Sequence, residues 1–342
     1  MPKTVLLTGA SGYIAKHIAL QLLEAGYHVR GTVRSMERAG EVTEALRPHL
    51  SDSSDLDSRL TFSALDLSHD FGWDDAMNGV DVLMHTASPF PLTQPKHEDD
   101  LIRPAVDGAL RALRAAHKAG ITRVVFTSST VAISGSALPP GDTAFDETNW
   151  TDPTDPDVSA YGRSKTLAER AAWDFIRDEA PQMQLTVVNP GFVLGAPLDQ
   201  NFGTSIQVIQ RLLRGKDPMV PNIGFGTVDV KDVAEMHVTV IDKPEAYEQR
   251  IMTVDSFISF QELATAIKTA YPDRKFATRV APDFLIRLLG RFDPAIKSII
   301  PSLGRVDKMD NARAITTLGR GMRQARKAAV SSAAYLIENK LV

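Results

Sequence analysis

Tyr161 and Lys165 stand four residues apart in Tyr161-Gly162-Arg163-Ser164-Lys165, and the apolar residues Leu167, Ala168, Ala171, Phe175 and Ile176 follow at helical spacing. On a helix that interval stacks the phenol and the ammonium one turn apart on the same side. A free phenol titrates at about pH 10, too high to exchange protons readily near neutrality. A neighbouring ammonium favours the phenolate and lowers that value. Tyr161 could then protonate a carbonyl oxygen, or deprotonate an alcohol in reverse. An interfacial tyrosine beside a solvated lysine gives the same interval, so a third group decides. Val124-Val125-Phe126-Thr127 is an apolar run that ends in Ser128-Ser129-Thr130. Ser129 is placed to hydrogen-bond a developing oxyanion, with Ser128 and Thr130 left as turn or capping hydroxyls.

A site for the hydride donor is legible at the N-terminus. Gly9-x-x-Gly12-x-x-Ala15 follows the apolar run Val5–Leu7 and opens a helical pattern on Ile14, Ile18, Leu22 and Leu23 that closes at Gly26. The first glycine permits a tight turn, the second lets a pyrophosphate approach the backbone, and Ala15 lets helix and strand pack closely. The phosphates would sit on the free N–H groups at the helix start. Gly9, Ser11, Gly12, Tyr13 and Ile14 are therefore the expected contacts. An NAD site carries a carboxylate at the end of the second strand to meet the ribose hydroxyl. Here that place is Val33, and Arg34 follows with a planar charged fork suited to a 2′-phosphate. This predicts NADP(H) over NAD, with Arg30 and Arg38 as secondary helpers and Asp66-Leu67, ending the third strand, placed to meet the adenine.

The elements that must position these residues alternate. Val29–Val33, Leu60–Leu65, Val80–His85, Val124–Thr127 and Leu185–Val188 read as strands. The stretches 41–46, 99–117 and 160–177 read as the helices between them. Such alternation predicts an α/β fold: a doubly wound, Rossmann-type parallel sheet with a smaller, mainly helical C-terminal lobe. Residues 1–195 form the expected cofactor core, with 225–258 returning to it through Val228–Val240 and Ile251–Val254. Residues 196–224 and 259–342 form the expected substrate lobe. The Pro- and Asp-rich stretch Leu138–Pro156 is a loop placed to cover the site. With Phe90, Val131, Ile133 and Phe192 it is expected to shape an apolar pocket.

The composition narrows the function classes. A net charge of -4 over 342 residues gives no reason to expect nucleic acid or an anionic membrane as partner. With no cysteine, disulfides and thiolate chemistry are excluded. No signal-like or membrane-spanning apolar segment is evident, so the expected setting is the cytoplasm. His97-Glu98-Asp99-Asp100 reads as acids at a helix start rather than a metal site. Arg320, Arg323, Arg326 and Lys327 read as a solvated helix face, and Phe284, Leu285, Leu288 and Leu289 as packing of the small lobe.

Taken in order, the glycine turn, the Thr-Ser-Ser strand end and Tyr-x-x-x-Lys resemble the extended short-chain dehydrogenase/reductases. His85-Thr86-Ala87-Ser88-Pro89-Phe90, Thr32-Val33-Arg34, Phe145-Asp146-Glu147 with Trp150, and Asn189-Pro190-Gly191-Phe192-Val193-Leu194-Gly195 resemble the dihydroflavonol reductase, cinnamoyl-CoA reductase and aldehyde reductase branch. Val228-Asp229-Val230-Lys231-Asp232-Val233-Ala234 is similar to a further stretch of extended members. The resemblance covers roughly residues 4–240. It implies a Ser129, Tyr161, Lys165 triad, NADPH as reductant, and a small carbonyl substrate reduced to an alcohol. It also implies that Thr86, Ala87 and Ser88 pass under the cofactor, that Pro190, Gly191 and Val193 pack around the nicotinamide, and that Ser205 reaches a phosphate. Two departures stand out: Ala15 replaces a third glycine, and the asparagine of the classical family has no counterpart. An NAD-retaining nucleotide-sugar epimerase or dehydratase, and a non-catalytic NADP-sensing regulator, share parts of this pattern. Val33-Arg34 argues against the first and the intact Ser129, Tyr161, Lys165 set against the second. The substrate's identity and the oligomeric state are not encoded in any motif.

Overall fold

Val5-Leu6-Leu7, Val82-Leu83-Met84 and Val124-Val125-Phe126 are unbroken apolar runs, the pattern of strands covered by helices on both faces. In the computed structural model, which describes residues 2–88 and 97–342, these runs lie side by side. The strands are β1 (Thr4–Thr8), β2 (His28–Val33), β3 (Leu60–Ala64), β4 (Val82–His85), β5 (Arg123–Thr127), β6 (Gln184–Pro190), β7 (Phe192–Leu194), β8 (Gly224–Asp229), β9 (Gln249–Thr253) and β10 (Ser256–Ser259). The first helices are α1 (Tyr13–Glu24), α2 (Glu37–Leu46), α3 (Leu56–Arg59), α4 (Trp73–Met77), α5 (Asp99–Lys118), α6 (Val131–Ser134) and α7 (Ala160–Asp178). Then come α8 (Thr204–Leu213), α9 (Val230–Thr239), α10 (Phe260–Ala270), α11 (Asp283–Leu289), α12 (Pro294–Ile299), α13 (Ala312–Leu318) and α14 (Ala325–Glu338).

Seven parallel strands form the main sheet in the order β3-β2-β1-β4-β5-β6-β9. The order reverses between β1 and β4, and ligands of such sheets bind outside the strand C-termini at that point. Leu6, Leu83, Val124 and Leu185 are register partners across four strands and are wholly buried on one face. Leu7, Met84 and Val125 point the other way, as the strand period of two requires. Each such side chain contributes on the order of 1.5–3 kcal/mol by leaving water. Helices α5 and α7 cover the first face through Ala105, Ala109, Ala112, Ala168 and Ala172, and α1 packs with α9 on the second.

The stretch 225–258 is divided between two sheets. Strand β9 becomes the outer strand of the main sheet beside β6. Strand β8 instead lies between β7 and β10 in a three-stranded sheet. Val228–Val240 does not extend as a strand because Asp229 caps a helix there, its Oδ1 accepting from Lys231 N at 2.8 Å. The resulting helix, α9, packs on the core. The small sheet, α8, α10 and α14 bury a separate apolar cluster that includes Val193, Ile206, Val228, Leu263 and Ala329.

Three local readings are corrected. The loop Leu138–Pro156 packs on β9 and on residues 308–310, with Phe145 N donating to Lys308 O at 2.8 Å and Met252 N to Glu147 Oε1 at 3.0 Å. Phe284 and Leu288 face solvent at 73% and 47% exposure while Ile286 is buried, so the helical register of α11 runs one position away from the expected one. Arg320 and Arg323 do not form a solvated helix face. They precede α14 and grip the buried Asp232 together with Glu235, whereas Arg326 pairs with Glu262. Among the described residues no helix is long and apolar enough to cross a membrane. Nor is any group of three or more His, Asp or Glu placed to hold a metal ion.

Candidate active site

Gly9 takes a φ of +68°, the left-handed region that side chains disfavour, and a Cβ there would lie 3.1 Å from Ala87 Cα. Gly12 N donates to Gly9 O at 2.8 Å, which closes the turn. The turn is held from beneath by β2: Gly9 N donates to Thr32 Oγ1 at 3.1 Å and Ala10 N to Thr32 O at 2.9 Å. A Cβ on Gly31 would meet Ala10 Cβ at 2.7 Å, so this second-strand glycine seats the buried Ala10. Its spacing from the turn gave no local signal. Thr8 joins the turn to the end of β4, its hydroxyl accepting from Thr86 N and Ala87 N at 3.0 Å each and meeting His85 Nδ1 at 3.0 Å. Thr86 and Ala87 are thereby set against the glycine turn. Ser88 is half-buried beside them, and Pro89 and Phe90 lie outside the described residues.

The strap leading to the small lobe crosses the same turn. Asn201 Nδ2 donates to Ser11 O at 2.9 Å, Lys16 pairs with Asp199 and donates to Asn201 O at 3.1 Å, and Tyr13 OH donates to Gly195 O at 2.9 Å. Tyr13 thus spends its hydroxyl on the strap, though its ring still lines the cleft with Ile14. Beyond β2, Arg34 is exposed, and among the described residues no hydrogen bond or salt bridge holds its guanidinium. Arg38 pairs with Glu41 at 3.2 Å. Arg30 is committed to Ala76 O and Asn78 O at 2.8 and 2.6 Å, so it is not a phosphate helper. Asp66 Oδ1 accepts from Ser68 Oγ at 2.6 Å and Ser68 N at 2.8 Å, and these bonds hold its carboxyl below the usual range. Leu67 is half-buried under α5, where a Cβ on Gly108 would lie 3.1 Å from its own Cβ.

A cleft of about 720 Å³ opens at the C-terminal ends of β1, β4, β5 and β6, lined by Gly9, Gly12, Thr86, Ser129, Tyr161 and Pro190 among others. The hydroxyl-bearing residues that end β5 are held differently. Thr127 Oγ1 meets His237 Nε2 at 2.7 Å. The Thr130 carbonyl takes Ser134 Oγ at 3.2 Å, and Thr130 N donates to Pro190 O at 2.9 Å. Among the described residues Ser129 Oγ has long bonds to Pro190 O and Val131 N, at 3.5 and 3.4 Å, besides a side-chain bond with Tyr161. Ser128 Oγ is buried with no partner among the described residues.

Tyr161 and Lys165 sit in the first turns of α7, which starts where Ser159 Oγ accepts from Gly162 N at 3.0 Å. Tyr161 reaches the cleft. Lys165 does not line it and lies buried one turn along, at 7% exposure. The electrostatics differ from the expected lowering of the phenol by the ammonium. Burial pushes Tyr161 above its ordinary value, and the hydrogen bond with Ser129 works against that rise. Burial pulls Lys165 down to about 8, with Glu169 opposing the fall.

The remaining expected contacts surround the cleft. Gly191 must be glycine, since a Cβ there would lie 2.0 Å from Gly226 O. Val193 is buried in β7, and Ser205 Oγ donates to Val193 O at 2.5 Å from the first turn of α8. Ser205, Val193, Pro190 and Gly191 all line the cleft. Val131 and Phe192 line it too, whereas Ile133 is 1% exposed and packs against Phe145 and Met252 instead. Residues 157–159, not the loop before them, form part of the wall, and the far side carries Phe225, Arg305, Asp307 and Met309. These last residues come from segments with no motif, and the linear sequence gives no sign that they converge.

Residues 5–254 match the model of the NAD dependent epimerase/dehydratase family. The chain belongs to that family. Proteins similar to this chain include reductases. The NADPH-dependent methylglyoxal reductase of Saccharomyces cerevisiae is 31% identical over 79% of this chain and 83% of its own. A cinnamoyl-CoA reductase of Medicago truncatula is 33% identical over 82% of this chain and 84% of its own. The crystal structure of Gre2 from Candida albicans in complex with NADPH covers 98% of this chain and 99% of its own, with a TM-score of 0.81 at 28% identity. This epimerase/dehydratase-family chain therefore falls in the extended short-chain dehydrogenase/reductase group, in the branch that holds the dihydroflavonol, cinnamoyl-CoA and aldehyde reductases.

Proposed function

We propose that the chain is an NADPH-dependent carbonyl reductase that converts small aldehydes or ketones to alcohols, with Ser129, Tyr161 and Lys165 as its catalytic residues. The observation that carries this reading is the convergence of Ser129 and Tyr161 on one cleft with the glycine turn. A turn without Cβ atoms at Gly9 and Gly12 suits a pyrophosphate, and an exposed, unengaged Arg34 with no acid at Val33 suits a 2′-phosphate. Ser11, Tyr13, Ile14, Asp66, Leu67, Thr86, Ala87 and Ser88 would complete the dinucleotide's surroundings, with Pro190, Gly191, Val193 and Ser205 at its nicotinamide end. When bound, NADPH supplies the hydride.

The protein's own part is the proton. Ser129 Oγ, weakly engaged, donates to the carbonyl oxygen and fixes its place. Tyr161 gives its proton to the same oxygen as negative charge develops there, and takes one back from the alcohol in reverse. Lys165, positively charged at neutral pH, stabilises the phenolate that remains. The apolar walls at Val131, Phe192 and Phe225 keep water from the developing charge. A chain without cysteine fits a reducing cytoplasm, which we take as its setting.

The test is NADPH and NADH oxidation with a panel of alkyl and aryl carbonyls. Tyr161→Phe is expected to lower kcat by about 10²–10⁴-fold while NADPH binding is retained. Full activity in that variant would remove the mechanism. Tightly held NAD with turnover of sugar nucleotides would replace the reaction class.

A further inference from the structure

Helix α7 places a third ionisable group in the row begun by Tyr161 and Lys165. Glu169 follows Lys165 by four residues and is wholly buried. A carboxylate that far from water stays charged only if it is paired. Its Oε1 accepts from Arg250 Nε at 2.6 Å and its Oε2 from Asn189 Nδ2 at 2.8 Å. Asn189 also donates to the Ser129 carbonyl at 3.3 Å, so the carboxylate is two bonds from the candidate oxyanion donor.

Arg250 does not depend on Glu169 for its other donors. They meet Glu147 O at 2.9 Å and Asn149 O at 2.6 Å, and the guanidinium lies 3.7 Å over the Trp150 ring. Beside and beyond Glu169, α7 buries the apolar Ala168, Ala172 and Phe175 in one cluster with Ala105, Ala109 and Ala112 of α5. A purely structural role at position 169 would be served by a side chain of that kind.

We propose that Glu169, clamped by Arg250 and Asn189, is a positioning residue that supplies the buried counter-charge to the Lys165 ammonium behind Tyr161. This rests on the reductase reading above. It assigns a charge-setting role to three residues from α7, β6 and β9 that the Ser129, Tyr161, Lys165 set does not include. Glu169 is the group that resists the fall of Lys165 on burial. Among the described residues, ionisable side chains near the pair include His85 of β4, pushed down to about 3 by burial and by Lys165, Arg250 of β9, and Glu147, raised by burial. Helix α5 meets α7 there through Ala105, Ala109 and Ala112. Loss of the carboxylate should therefore let Lys165 lose its proton at lower pH. Loss of Arg250 should leave the buried Glu169 unpaired, favour its neutral form and act on Lys165 in the same direction.

The experiment is the pH profile of kcat/KM for carbonyl reduction in the wild type, Glu169→Gln, Glu169→Asp and Arg250→Gln, with thermal midpoints and NADPH binding measured on each. In Glu169→Gln and in Arg250→Gln the alkaline limb should move about one pH unit toward acid, and Glu169→Asp should restore the wild-type limb. A rate lowered equally at every pH, with the limbs unmoved in folded Glu169→Gln, overturns the proposal. Should that variant fail to fold, an unmoved limb in Arg250→Gln overturns it instead. Tyr161→Phe run alongside separates the two readings: an inactive Tyr161→Phe with unshifted Glu169 variants rejects only this inference, and an active one rejects the reductase mechanism itself.

Discussion

Chemistry at single residues was readable where it depends on local order, and hidden where it depends on partners far along the chain. Gly9, Gly12 and Arg34 declare themselves because a turn, a close approach and a missing acid are all properties of one short segment. Arg34 makes this testable. If its exposed guanidinium is what receives a 2′-phosphate, Arg34→Glu should raise the KM for NADPH about ten- to a hundredfold while sparing NADH, the scale of one lost charge-assisted bond. An unchanged NADPH/NADH preference would remove Arg34 from the site. Arg30 shows the opposite limit: it sits as near in sequence, yet its donors go to carbonyls 46 and 48 residues away. Glu169 likewise reads as an ordinary helix acid until Asn189 and Arg250 are brought to it, 20 and 81 residues on.

Elements with a sustained period were recovered well, and short or irregular ones were not. The alanine-rich faces of α5 and α7 carry the helical period over many turns, and the buried strands are apolar without interruption. Helix α11 has only seven residues, Asp283–Leu289, too few for the pattern to show which face is inward. Strand β8 and helix α9 were run together because Val228, Val230 and Val233 suit a strand, and the capping carboxylate of Asp229 decides otherwise. The junction of β6, β7 and β8 carries a prediction of its own. Gly191→Ala must push β6 off Gly226, so it should lower stability by about 1–3 kcal/mol in urea unfolding and reduce turnover through the displaced Pro190. Gly40→Ala, on the open side of α2 with nothing within 4 Å, should instead be neutral or stabilising by up to about 1 kcal/mol. Equal effects of the two substitutions would mean that the close approach at Gly191 does not matter.

For the molecule as a whole, the pH dependence of stability follows from histidines the interior keeps neutral. Burial lowers His17 and His85 to about 3 and His237 to about 4. His237 shows why: Nδ1 donates to Val233 O and Nε2 accepts from Thr127, so the neutral ring is fully used. The unfolded chain takes up these protons as pH falls through about 6.5, while the folded one refuses them. Stability should thus be level above neutrality and decline from about pH 6.5 toward pH 4, each histidine adding up to about 1.4 kcal/mol per pH unit. Urea midpoints across that range check the slope, which His237→Gln should reduce by one proton's worth; a flat profile would mean the histidines are hydrated when folded. The doubly wound core was foreseeable because each strand and helix needs only its neighbours, whereas the far wall at Arg305, Asp307 and Met309 exists only once the small lobe is folded back. That lobe is tied to the core by Asn201 on Ser11, Asp199 on Lys16 and Gly195 on Tyr13. The amides that would grip a phosphate and the tether that sets the lobe's angle are thus fastened at one knot, so whatever stiffens the first also steadies the roof over the substrate.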